Sequence, residues 1–166
     1  MSIQTIEEGL ALYSLGLLGA DEIPDVVSLF LAMGCDVPEM AALAGSLTAD
    51  HPADRRCDFE RAVRLAGREV PNRIEAAHIL KTLYAQKAAS RTLPPRAAAR
   101  LIKDTFQLVE SELPKTRVYV GDSFGISTLI GLYYAYDDIA YDDAASCLEI
   151  DRDLLQELIR LAKEGD

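Results

Sequence analysis

Apolar residues recur along this chain at the three-to-four spacing of amphipathic helices, and glycine and proline punctuate the pattern at short intervals. Ile6, Leu10, Tyr13 and Leu17 mark a first helix over residues 5–18, stopped at Gly19. A second is expected at about 24–33, opening on Pro24 and ending at Gly34. Asp36, with Glu39 three residues on, has the form of a capping box and predicts a short third helix at 37–44, before Gly45. After a polar loop containing His51 and Pro52, a fourth helix at 54–66 sets Phe59, Ala62, Val63 and Ala66 on one face. Arg61, Arg64 and Arg68 fall on the other.

Helices at 73–90 and 95–111 follow, separated by Leu93-Pro94-Pro95, and Leu113-Pro114 closes the second of them. Arg117-Val118-Tyr119-Val120 is the one candidate strand. A seventh helix is expected at 127–142 and an eighth at 152–163, the latter capped by Asp151 with Ile150 stapled against Leu155. The pattern is all-α, about eight helices in a bundle or short stack. With no low-complexity linker, residues 1–166 read as one helical domain.

Composition narrows the function classes more than it names one. At 49% apolar and 27% charged residues the chain can build a core, so it is globular rather than disordered. It contains no apolar run long enough for a membrane span, and the start Met-Ser-Ile-Gln-Thr-Ile-Glu-Glu lacks the basic opening of a secretory signal. Cys35, Cys57 and Cys147 are far apart and form no C-x-x-C pair, which speaks against zinc or a disulfide framework and for a reducing cytoplasm. A net charge of −10 argues against a general nucleic-acid binder.

That charge is segregated. Residues 1–50 carry eight acidic side chains and no lysine or arginine, whereas residues 51–117 carry fourteen basic and eight acidic ones. Residues 137–166 return to ten acidic against three basic. Two readings stand side by side. Acidic ends pack beside a basic middle within the chain, or an acidic surface faces outward to a basic partner.

Three enzyme-like motifs fail on their missing partners. Gly121-Asp122-Ser123-Phe124-Gly125 matches the G-x-S-x-G nucleophile elbow, but that fold needs a histidine after the serine, and the only two are His51 and His78. Glu75-Ala76-Ala77-His78 is a single Glu-x-x-His pair where a di-iron bundle needs two. On the wheel of the fifth helix the apolar face centres on Ala76, Leu80, Leu83 and Tyr84, and His78 points away as a surface residue. Asp137-Asp138-Ile139-Ala140-Tyr141-Asp142-Asp143 resembles the aspartate-rich motif of prenyl-transferring enzymes, without the second motif or the larger cavity they require. No catalytic residue, metal or cofactor is therefore expected.

A tyrosine–aspartate face is the stronger feature. At 100° per residue Leu129, Leu132, Tyr133, Tyr136 and Ala140 fall together toward the core. Tyr134, Asp137, Asp138 and Tyr141 fall together elsewhere, with Asp142 at the edge. Tyrosines beside carboxylates suit protein binding, by large buried area and charge-assisted bonds to arginine or lysine. These five residues are the expected partner contacts. The alternative is that the face packs on Arg61, Arg64, Arg68, Arg96, Arg100 and Lys103 of the same chain.

The segments Ala11-Leu12-Tyr13-Ser14-Leu15-Gly16-Leu17-Leu18-Gly19, Met33-Gly34-Cys35-Asp36-Val37-Pro38-Glu39-Met40-Ala41-Ala42-Leu43-Ala44-Gly45 and Leu93-Pro94-Pro95-Arg96-Ala97-Ala98-Ala99-Arg100-Leu101-Ile102 resemble small helical proteins of bacterial genomic islands. Some of those sit beside polymorphic or contact-dependent growth-inhibition toxins and look like immunity proteins. The resemblance lies in glycine, proline and leucine spacing over the first two thirds of the chain. It implies cytoplasmic residence and binding to one cognate toxin domain, and it carries over no binding residue by position. An acidic helical adaptor or regulatory subunit is the alternative expectation, and a small serine hydrolase using Ser123 a third.

Overall fold

The computed structural model describes residues 3–45, 52–114, 119–136, 138–139 and 144–164. Among them the chain is all-α: α1 (Ile6–Ser14), α2 (Ile23–Ala32), α3 (Pro38–Ala44), α4 (Pro52–Leu65), α5 (Arg73–Ala89), α6 (Pro95–Val109), α7 (Ser127–Ala135) and α8 (Ala144–Lys163). Two 3-10 turns, Glu110–Glu112 and Asp122–Phe124, stand between α6 and α7. No described helix is long and apolar enough to cross a membrane. The contacts divide the chain within α5, after Ala76, into two compact units.

In the N-terminal unit, α1 starts at Thr5, whose hydroxyl accepts the Glu8 N–H at 3.1 Å while the Glu8 carboxylate accepts the Gln4 N–H at 3.0 Å. Two amides at the helix start are thus satisfied reciprocally. A Cβ on Gly9 would lie 2.6 Å from both Val26 methyls, so only glycine lets α1 approach α2 this closely. The core is made by Ile6, Leu10, Ile23, Val26, Val27, Phe30, Met40, Phe59, Ala62 and Val63. Tyr13 stacks tilted on Phe59, ring centroids 5.0 Å apart, and its hydroxyl donates to Glu60 at 2.9 Å.

The basic face of α4 is largely answered inside this unit. Arg55 and Arg56 each donate at 2.9 Å to the carbonyls of Ala20 and Leu18, holding the α1–α2 connection. Arg61 pairs with Glu39 at 3.6 Å and Arg68 with Glu7 at 3.7 Å. Here acidic and basic segments complement each other within the chain, although exposed pairs of this kind contribute only about 0–1 kcal/mol each. Asp36 does not cap α3. Val37 occupies the cap position with no side-chain bond, and Glu39 is turned toward Arg61 instead.

In the C-terminal unit the remainder of α5 buries Ala77, Leu80, Tyr84, Ala85 and Ala88. The clean stripe on α6 buries Ala98, Ala99, Ile102, Phe106 and Val109. Phe124, Ile126 and Leu129 come from the turn and α7, and Leu154, Leu158 and Leu161 from α8. Four expectations need correction. Tyr119 and Val120 lie in an exposed turn rather than a strand, and Arg117 and Val118 are outside the described residues. α7 ends at Ala135, well short of residue 142. α8 begins at Ala144, so Asp151 sits inside the helix and caps nothing. Ile150 is likewise inside it and cannot act as a staple from before the helix.

Candidate functional site

The tyrosines of α7 meet the cations of α6. On α6, Ile102 and Phe106 are buried, which leaves Arg96 and Lys103 at the flank of its apolar stripe, and the packing of α6 on α7 brings them to the tyrosines. Lys103 Nζ lies 5.1 Å from the Tyr133 ring centroid and 6.0 Å from that of Tyr134. The two rings meet edge to face at 5.6 Å. Lys103 Nζ also reaches Asp104 Oδ1 at 3.1 Å. The hydrogen bond to Asp104, ahead of the nearby rings, holds the ammonium above its usual range. One helical turn and more away, the Arg96 guanidinium covers Tyr136 at 4.3 Å. The Tyr136 hydroxyl donates to Asp151 of α8, and burial together with that carboxylate raises the phenol above its ordinary range.

Of the expected contact residues, Tyr134 is 48% exposed and Asp138 is exposed, but α7 ends at Ala135, so Asp138 lies beyond the helix and the 100° spacing that grouped it with Tyr134 does not apply. Asp137, Tyr141 and Asp142 lie outside the described residues. Leu129 is buried as its place on the wheel implies, but Leu132, Tyr133 and Tyr136 are only half-buried and Ala140 is outside the described residues. The basic residues of α6 do meet tyrosines of this segment, chiefly Tyr133 and Tyr136, which were expected on the core side. Lys103 and Arg96 cover ring faces of Tyr133 and Tyr136, while the Tyr134 ring stays largely open.

The G-x-S-x-G segment is a cation-tied turn. Gly121 and Gly125 adopt φ of +87° and +72°, a region glycine enters without penalty, and they bracket the 3-10 turn that holds Ser123 half-buried. Lys81 Nζ donates to the Phe124 carbonyl at 3.0 Å and lies 4.8 Å from the Phe124 ring centroid. Arg160 donates to the Gly125 carbonyl at 3.2 Å. Arg160 is in turn held by a two-bond contact with Glu157, at 2.9 and 2.6 Å, which raises its already high pKa. Burial lowers the Lys81 pKa, with Glu164 opposing that shift and Arg160 adding to it. The His78 ring lies 4.4 Å from Phe124, and burial, then the Lys81 charge, lowers its pKa from 6.5. His78 keeps part of its surface open to solvent, as the wheel implied, while its ring packs on Phe124.

The residues sequence reasoning missed are Lys81, Glu157 and Arg160. Lys81 carries a legible signal: on the wheel of α5 it falls between Ala77, Ala85 and Ala88, a second apolar stripe around a single charge. Glu157 and Arg160 read as ordinary solvent-facing charges. Among the described residues no group of three histidine, cysteine, aspartate or glutamate side chains is arranged to hold a metal. Comparison of the chain with known protein families, curated proteins and solved structures finds no match.

Proposed function

We propose that this chain is an acidic, helical binding protein that recognises a basic partner protein through the α7 tyrosine face, and that it serves as the immunity protein of a cognate toxin domain. The observation that carries the reading is the Tyr134 ring. It is a large aromatic side chain left nearly half exposed on a helix whose neighbouring tyrosines are met by Lys103 and Arg96. A pre-ordered aromatic offers its face to arginine or lysine at low entropic cost. The net charge of −10 would steer a basic domain toward it and repel nucleic acid competing for the same domain.

The test is recovery and rescue. Tagged chain is used to capture partners from its native organism, and the captured domain is then expressed alone and together with the chain. The reading expects one basic domain, toxic alone and harmless when co-expressed. A partner that is a housekeeping assembly, with no toxicity to relieve, would favour the adaptor reading instead.

A further inference from the structure

Tyr133, Tyr134 and Asp104 converge on one cation, and we read the space that cation fills as a pocket with the three side chains as its walls. Lys103 Nζ sits within 6.0 Å of both ring centroids and 3.1 Å from the carboxylate. The Lys103 side chain is only 16% exposed, whereas the Asp104 side chain that meets it is 52% exposed. Two aromatic faces and a carboxylate are the groups that accept an ammonium or guanidinium. The walls are unequal in commitment: Tyr133 is half-buried against the unit, while Tyr134 and Asp104 open to solvent. Lysine is flexible and strongly hydrated, so it leaves such a site readily; arginine stacks on tyrosine and pairs with a carboxylate more effectively.

We propose that this pocket is the cation-recognition subsite of the binding face, filled by Lys103 in the free protein and by an arginine side chain of the basic partner in the complex. The inference rests on the reading of the chain as a binder of a basic protein, and it names what that partner presents. Lys103 is then an internal surrogate. It keeps the tyrosine rings ordered before binding and moves to solvent when a guanidinium enters.

The test uses the full chain and a defined probe, an acetylated and amidated tetra-arginine peptide, followed by NMR of the tyrosine ring signals. Lys103→Met empties the pocket of its charge while keeping most of the stem. It is expected to bind the peptide roughly two- to fivefold more tightly than the unaltered chain, the equivalent of one exposed cation–π contact no longer displaced. The Tyr133 and Tyr134 ring signals should shift on titration, and Tyr134→Leu in the same background should abolish the gain. Lys163→Met changes net charge equally on the exposed end of α8 and should give no gain. Equal gains in the Lys103 and Lys163 variants, or shifts that spare both rings, would overturn the pocket. Should Lys103→Met lose its helical circular dichroism, Lys103→Gln makes the same comparison. A failed peptide titration with partner capture intact refutes the subsite alone, whereas failed capture and rescue refute the immunity reading.

Discussion

Lys81 donates its ammonium proton to the carbonyl of Phe124 across 3.0 Å, a contact between residues 43 apart in sequence that fixes the Gly121–Gly125 turn on α5. A buried carbonyl that loses its donor costs about 1–3 kcal/mol, and removing a desolvated ammonium offsets part of that. Lys81→Met should therefore cost about 1 kcal/mol in urea unfolding. The sharper readout is local. The Ile126 N–H, bonded to Gly121 O at 3.0 Å, should exchange with deuterium faster than in the unaltered chain. Exchange as slow as before would mean that the turn holds itself.

His78 gives the same region a pH dependence. Its folded-state pKa is lowered by burial and by Lys81, so the unfolded chain binds that proton more readily. The stability it contributes is complete above about pH 6.5 and is lost as pH falls from there toward the lowered folded value. Unfolding free energy measured at pH 7.5 and pH 5 should thus differ less in His78→Gln than in the unaltered chain. An identical pH difference in the two proteins would contradict the assignment.

Glycine positions separate two physical causes. A Cβ on Gly121 would lie 2.8 Å from Ile130 Cδ1 and 3.0 Å from Ile126 Cγ1 and also requires a left-handed backbone, whereas Gly125 has the backbone demand with nothing within 4 Å. Gly125→Ala should cost about 1–2 kcal/mol from conformation alone, and Gly121→Ala measurably more. In the N-terminal unit Gly9→Ala should destabilise by overpacking against Val26, about 1–3 kcal/mol. Thermal melts of the three variants rank them, and equal losses at 121 and 125 would remove the steric part of the account.

The helices whose limits were legible are those stopped by local chemistry. α2, α3, α4, α5 and α6 fall within about two residues of expectation because Pro24, Pro38, Pro95, the glycines after α2, α3 and α4, Pro114 after α6 and the reciprocal Asn72–Glu75 cap of α5 act through the backbone of their own neighbourhood. The C-terminal end of α7 and the start of α8 were not legible, and α1, expected to reach residue 18, ends at Ser14, where Gly16 takes a left-handed backbone. Asp151 looks like a cap in sequence, but its carboxylate receives the Tyr136 hydroxyl from within α8. Asp36 and Glu39 match a capping box, yet Glu39 faces Arg61. At the candidate site, sequence periodicity separated the open Tyr134 from the more enclosed Tyr133 and Tyr136. It left undecided which cations would meet them, because the packing of α6 on α7 is tertiary and not written in local sequence.

The most direct test of the account is the affinity of the purified partner for the chain and for a Tyr134→Ala, Asp138→Lys double variant, measured calorimetrically at low and moderate salt. An exposed aromatic anchor and an exposed carboxylate should together account for a loss on the order of tenfold or more, with the thermal midpoint unchanged and the salt dependence of the remaining binding reduced. Equal affinity for the two proteins, with both fully folded, would contradict recognition through the α7 face.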